Sequence, residues 1–199
     1  MQMRVKSWFI LLVGGIMLSF LLTACSLDFL GLGGSTPKAT PTTPTSSLTT
    51  YQGDGFTIGY PQGWKVSKNG SQVQFTDTTG AVNLIVQTAP NPGGTVPADT
   101  FIQGGLQGFK GTAKNYKEES IAPTTTVNGV TWNQGAASGD VTESGQTANA
   151  KLVVMVTNHP EHDPATKAFM LIYGSPTAAF DLSNTSYFQP MVQSFKFSA

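Results

Sequence analysis

Apolar residues change their spacing several times along this chain, and the changes divide it into parts. Trp8 to Leu22 is a near-continuous apolar run of about fifteen residues behind Arg4 and Lys6, with the small residues Thr23 and Ala24 after it. A bilayer span needs about twenty residues, so the run reads as the core of a secretory signal over 1–24. There is no Arg-Arg pair, which favours general secretion over the twin-arginine route. Residues 25–50, "CSLDFLGLGGSTPKATPTTPTSSLTT", have neither a helical nor a strand period after Leu32 and are rich in Gly, Ser, Thr and Pro. This is the composition of a tether, partly extended at Pro37, Pro41 and Pro44 by about 3 Å per residue. A Thr/Pro stalk of this kind is also a candidate for O-glycosylation.

The strand period begins at Phe56. Phe56, Ile58 and Tyr60 alternate with Thr57 and Gly59, Pro61-Gln62-Gly63 turns the chain, and Trp64 and Val66 resume the alternation. Val73–Thr76 and Val82–Gln87 follow between the turn signals Asn69-Gly70 and Thr79-Gly80, predicting a meander. Then the period changes. Ile102, Leu106 and Phe109 are spaced by four and three within Val96 to Gly111, with Pro97 and Asp99 where a first turn wants them, and this predicts an amphipathic helix. Gly104, Gly105 and Gly108 weaken it by up to about 1 kcal/mol each, and they would let it lie close on a sheet. No phosphate-loop pattern accompanies these glycines.

Four further strands are expected: Tyr116–Val127 broken at Pro123, Val130–Ser138 after the Asn128-Gly129 hairpin signal, Leu152–Asn158, and Ala168–Gly174. In "KLVVMVTNH" both alternating sets are apolar, so that strand is expected at the centre of the sheet with a helix over its second face. A closing helix over Ser183 to Ser194 gathers Phe188, Met191, Val192 and Phe195, although Pro190 demands a kink or a late start. The succession of strands, helix, strands and helix predicts an α+β domain over 51–199: a largely antiparallel sheet flanked by helices.

Charge narrows the partners. Within 51–199, eight lysines against ten acids leave a formal charge of −2, and Arg is absent. Since Arg is the preferred residue for bidentate contacts to phosphate and bases, nucleic acid is a poor partner. Lys110, Lys114 and Lys117 cluster, but Glu118 and Glu119 follow at once, as on a solvated surface.

The one cysteine, Cys25, closes Leu22-Thr23-Ala24-Cys25, which resembles the bacterial lipobox. The resemblance implies cleavage before Cys25 and acylation of its thiol, placing the protein on the extracytoplasmic face of a membrane. A spare thiol in an exported protein would invite intermolecular disulfides, and a thioether-linked lipid avoids that.

Other chemistry is sparse. The segment "NHPEHDP" holds both histidines, and His159, His162 and Asp163, with Glu161 between them, could ligate zinc or another transition ion. Pro160 and Pro164 equally suit a plain hairpin loop. No GxSxG pattern occurs and the SxxK match Ser35-Thr36-Pro37-Lys38 falls in the tether, so a familiar serine hydrolase is not expected, although Ser138 or Ser175 with His159 and an Asp could assemble in space. No catalytic residue is assigned, no cofactor is expected, and Glu118, Glu119, Glu143 and Glu161 are expected on polar edges. Trp64 and Trp132 are expected in the core, with ligand stacking as the functional alternative.

Phe56-Thr57-Ile58-Gly59-Tyr60-Pro61 with Trp64, the mid-chain helix, "VNGVTW" at 127–132 and "SFKF" at 194–197 resemble the PsbP-type domain. That family includes an extrinsic photosystem II subunit, a Ran-binding nuclear transport factor and many bacterial lipoproteins. The resemblance implies an α/β/α sandwich over about 51–198 and a binding or assembly role rather than catalysis, with no site residue carried over. Three functions follow as expectations: a lipid-anchored, non-catalytic binding or assembly module with an envelope protein partner; a metal-binding protein or metal-dependent enzyme using the His159–His162 loop; and a small-solute-binding lipoprotein.

Overall fold

The computed structural model describes residues 47–143 and 145–198. The signal segment, Cys25 and most of the tether lie outside the described residues. The strands are β1 (Leu48–Gln52), β2 (Phe56–Pro61), β3 (Lys65–Asn69), β4 (Gln72–Thr76), β5 (Asn83–Pro90), β6 (Lys114–Glu119), β7 (Thr124–Val127), β8 (Val130–Glu143), β9 (Gln146–His159), β10 (Lys167–Pro176) and β11 (Lys196–Phe197). Helix α1 spans Ala98–Thr112. A second helical segment, α2, covers 180–194 in three stretches: Phe180–Ser183, a π-helical Asn184–Phe188, and Gln189–Ser194.

Eight strands form an antiparallel sheet in the order β3-β4-β5-β10-β9-β8-β6, with β7 also paired to β8, and β1-β2-β11 form a second sheet of three. The expected α+β class is the observed one. Central strand β9 shows why. Leu152, Val154 and Val156 pack with Ile102, Leu106 and Phe109 of α1, whereas Val153 and Met155 join the larger core on the opposite face. That larger core takes Phe56 and Ile58 from the small sheet and Phe188, Met191 and Val192 from α2. Each fully buried aliphatic or aromatic side chain contributes roughly 1.5–3 kcal/mol of transfer free energy, so two apolar faces hold the sheet between two layers.

Small residues set how close α1 comes. A Cβ on Gly105 would lie 3.1 Å from Val154, and one on Gly135 of β8 would lie 2.8 Å from Ile102. Any larger side chain at Gly135 must therefore displace the Ile102 side chain on the face of α1 that packs against the sheet.

The structure corrects the sequence reading in several places. Strands β2 and β3 do not form a hairpin: β2 pairs with β1 and β11, and β3 pairs with β4. The Pro61-Gln62-Gly63 turn, closed by Trp64 N–H on the Pro61 carbonyl at 3.2 Å, passes the chain from one sheet to the other. Only β3, β4 and β5 form the meander. Leu48, Thr49 and Thr50, assigned to the tether by composition, pair with Pro61, Tyr60 and Gly59. Strands β8 and β9 run on to Glu143 and Gln146 because their pairing continues through Val141↔Ala148 and Thr142↔Thr147 without apolar alternation. Pro190 falls at the start of the last α-helical stretch, directly after the π-helical turn. The wider turn accommodates a residue that has no N–H to give and whose ring crowds the preceding turn.

One buried phenol makes the fold sensitive to alkali. Burial pushes Tyr173, on β10, up to about 12 from 10.0. The folded chain therefore keeps this proton over a range in which the unfolded chain releases it. The resulting stability is complete below pH 10, falls as pH rises, and is lost above the folded value, amounting to about 2–3 kcal/mol in total. Urea unfolding of Tyr173→Phe alongside the parent is expected to show a smaller decline between neutral pH and pH 11 in the variant. Parallel declines would contradict this assignment.

Candidate functional site

The histidine-bearing segment is the loop between β9 and β10. It is braced by its own backbone and by the segment before α1. The Asp163 carbonyl accepts from Thr166 N–H at 2.9 Å and Gly93 N–H at 2.8 Å, its carboxylate accepts from Ala165 N–H at 2.7 Å, and Thr166 Oγ1 lies 2.6 Å from the Pro160 and Asp163 carbonyl oxygens. Buried Asn91 joins in, donating to Val96 O at 2.9 Å and to Asn158 Oδ1 at 3.0 Å. His159 stacks on Phe197 with ring centroids 3.8 Å apart and an interplanar angle of 15°. His162 is exposed at a left-handed turn position, φ 54°. His159, His162 and Asp163 are thus neighbours in sequence with separate roles in the loop. Among the described residues, no group of three or more His, Cys, Asp or Glu side chains is placed to hold a metal ion.

The serine–histidine arrangement is not assembled. Ser138 and Ser175 both pair with Lys151, whereas His159 lies eight residues further along β9. At about 3.3 Å per residue that separation is roughly 26 Å. Ser138 instead donates to Glu119 at 2.7 Å, and this hydrogen bond, aided by Lys117 at 3.7 Å, holds the Glu119 carboxyl below its usual range. Glu118 and Glu119 share a cleft of about 310 Å³ with Asp99 and Gln103 of α1 and with Asn133 and Gln134 of β8. The cleft opens where the chain between β6 and β7 leaves the β8 edge, with Gln134 N–H on the Pro123 carbonyl at 2.8 Å.

A second cavity is aromatic. It has a volume of about 230 Å³ and lies between the β7–β8 hairpin, which contributes Val127, Asn128, Val130 and Trp132, and the final strand with Phe195, Lys196 and Phe197. Its origin is topological: among the described residues β11 pairs on one side only, with Thr57 and Phe56 of β2, and the hairpin lies across the cavity from it. Asn128, at φ 49° in the Asn-Gly turn, spans the gap by donating to Gln193 O at 3.0 Å and Phe195 O at 2.7 Å. Trp132 has 0% exposure, stands edge-on to Phe195 at 5.3 Å and lies parallel to Phe197 at 6.2 Å. Its Nε1–H is buried and has no hydrogen-bond acceptor among the described residues. The perpendicular Phe195 ring is at most a weak π acceptor.

Trp132 is a core residue, as its strand position after a turn predicts. Trp64 is half-buried, 5.4 Å from Tyr187. The cavity itself escaped the sequence reading. Its two walls are the stretches "VNGVTW" and "SFKF", each conspicuous alone, and no local spacing signals that they meet.

No protein-family model and no curated protein matches the chain. Among solved structures it is similar to LpqN of Mycobacterium tuberculosis, described as involved in cell envelope biogenesis. That likeness has 11% identity and a TM-score of 0.45, covering 77% of this chain and 91% of LpqN. It is also similar to PA94 of Pseudomonas aeruginosa, a protein of unknown function, at 14% identity and a TM-score of 0.36 over 73% of this chain and 94% of that one.

Proposed function

We propose that this chain is a lipid-anchored extracytoplasmic protein whose α+β domain is a non-catalytic binding or assembly module for an envelope partner. The observation that carries this reading is Leu22-Thr23-Ala24-Cys25, set behind a basic start and an apolar run too short to span a bilayer comfortably. The domain geometry suits it. The tether joins at Leu48, opposite Pro61 at one end of β2, while Lys196 and Phe197 pair at the other end and on the other edge of the same strand. A surface beside β11 is therefore turned away from the point of attachment. Among the described residues, no helix is long and apolar enough to cross a membrane. The PsbP-type motifs support binding over catalysis.

The small-solute reading gains support from the aromatic cavity. The metal reading gains none, because Asp163 is engaged inside the loop and His159 is stacked on Phe197.

Mass spectrometry of the N-terminal peptide, after detergent extraction of the protein from membranes, tests the anchor. The expected peptide begins at Cys25 with the mass of covalent lipid and lacks residues 1–24. A peptide that retains Leu22-Thr23-Ala24-Cys25 with an alkylatable thiol would overturn it.

A further inference from the structure

We infer that Asn69 is a site of spontaneous covalent modification, converting to aspartate and isoaspartate, and that the fold protects the chain's other Asn-Gly pair, Asn128-Gly129, from the same reaction. The chemistry needs no enzyme and no co-reactant except water. The backbone nitrogen of the following glycine attacks the side-chain Cγ, the new C–N bond closes a five-membered succinimide, and the side-chain nitrogen departs as ammonia with the proton that the backbone nitrogen loses. Water then opens the ring at either carbonyl, giving aspartate or, with the chain rerouted through the side chain, isoaspartate. Glycine in the second position favours the attack, because it has no Cβ to obstruct it and the widest range of backbone angles.

The structure separates two pairs that look alike in sequence. Asn69 ends β3, an edge strand that pairs only with β4 among the described residues, and Asn69↔Gln72 is the last pair before a two-residue turn. Few contacts hold the terminal pair of an edge hairpin, so it opens readily. Asn69 and Gly70 are both exposed, Gly70 is left-handed at φ 57°, and no atom lies within 4 Å of where its Cβ would stand. Asn128 is also exposed at a tight turn, but its Nδ2 donates to the Gln193 carbonyl at 3.0 Å and the Phe195 carbonyl at 2.7 Å. These bonds turn the carboxamide toward α2 and the last strand, and attack by the Gly129 nitrogen must break both. The Asn69 carboxamide has no such partner among the described residues.

The consequences of the reaction differ in the same sense. At Asn69 it adds a negative charge one residue from Lys68 and disturbs one terminal pair at the sheet edge. At Asn128 it would set a carboxylate, which accepts but cannot donate, against two carbonyl oxygens, and so untie the β7–β8 turn from β11. The inference concerns the domain alone and goes beyond the anchored-module reading.

The test incubates the full-length protein in detergent micelles at mildly alkaline pH and physiological temperature, and follows both sites by peptide mass spectrometry with fragmentation that distinguishes isoaspartate from aspartate. In the folded protein Asn69 is expected to convert faster than Asn128 by about tenfold or more, a ratio equivalent to about 1.4 kcal/mol and so within reach of one or two net hydrogen bonds. In guanidinium chloride, where the Asn128 bonds are lost, the two rates are expected to converge, which separates protection by the fold from the effect of neighbouring residues. Asn128→Asp is expected to unfold at a lower urea concentration than Asn69→Asp. The inference is overturned if the folded protein converts both sites at similar rates, if Asn128 is the faster, if Asn69 stays intact while the denatured chain converts, or if the ratio is the same in guanidinium chloride. An Asn69→Asp variant less stable than Asn128→Asp would contradict the protective role assigned to the Asn128 bonds.

Discussion

Trp132→Ala is expected to lower the free energy of unfolding by about 3–5 kcal/mol, the range for deleting a large aromatic side chain from a packed core. The magnitude follows from position. Trp132 is fully buried in β8, faces Phe195 edge-on and lies parallel to Phe197, so it joins the large sheet to the last strand of the small one. Removing it leaves a void beside an existing cavity of about 230 Å³, where little surrounding structure can close in. Against a total stability of about 5–15 kcal/mol for a domain, the loss is severe. Trp132→Phe is expected to cost much less, because it retains most of the packing and deletes an N–H that has no acceptor. Urea denaturation followed by near-ultraviolet circular dichroism measures both variants. An alanine variant within 1 kcal/mol of the parent would show that Trp132 does not tie the two sheets together.

The elements most legible in the sequence are those whose burial is local and periodic. Leu152 to Val156 reveals a central strand because both faces are apolar, and the structure covers one face with α1 and the other with the main core. Ile102, Leu106 and Phe109 mark α1 for the same reason, and the Asn128-Gly129 signal places the β7–β8 turn. Partnership is less legible than existence. Phe56–Pro61 and Lys65–Asn69 both read as strands, yet nothing local says that they enter different sheets. Strand β11 has two residues, too few for a period to show, and β1 is Thr-rich, so its composition continues that of the tether.

The candidate site was the least legible part. Sequence reasoning favours residues that are close in the chain and rich in chemistry, and so gathers His159, His162 and Asp163. The structure shows how such a segment can instead be consumed by loop-making: a carboxylate on Ala165 N–H, a carbonyl on Thr166 and Gly93, a ring on Phe197. The cavity depends on contact between residues of β7, β8 and β11, which only the tertiary fold brings together.

The anchor produces the other large effect. One acyl chain gives marginal, reversible membrane binding with an association constant of about 10⁴ M⁻¹, whereas two or more make attachment stable. Eliminating lipidation at Cys25 is therefore expected to move nearly all of the protein, not a fraction of it. Among the described residues the main core is drawn from Phe56 to Phe197, so the domain is expected to fold in the Cys25→Ser chain. The decisive measurement is cell fractionation of Cys25→Ser placed behind a signal peptide with an Ala-x-Ala cleavage site, so that cleavage no longer requires the cysteine. The parent is predicted to stay in the membrane fraction through high salt and alkaline carbonate and to leave it only with detergent. The cleaved Cys25→Ser protein is predicted to appear in the soluble extracytoplasmic fraction with the circular dichroism of the folded domain. Cleaved, folded Cys25→Ser protein that remains in the membrane fraction would contradict the lipid-anchored reading.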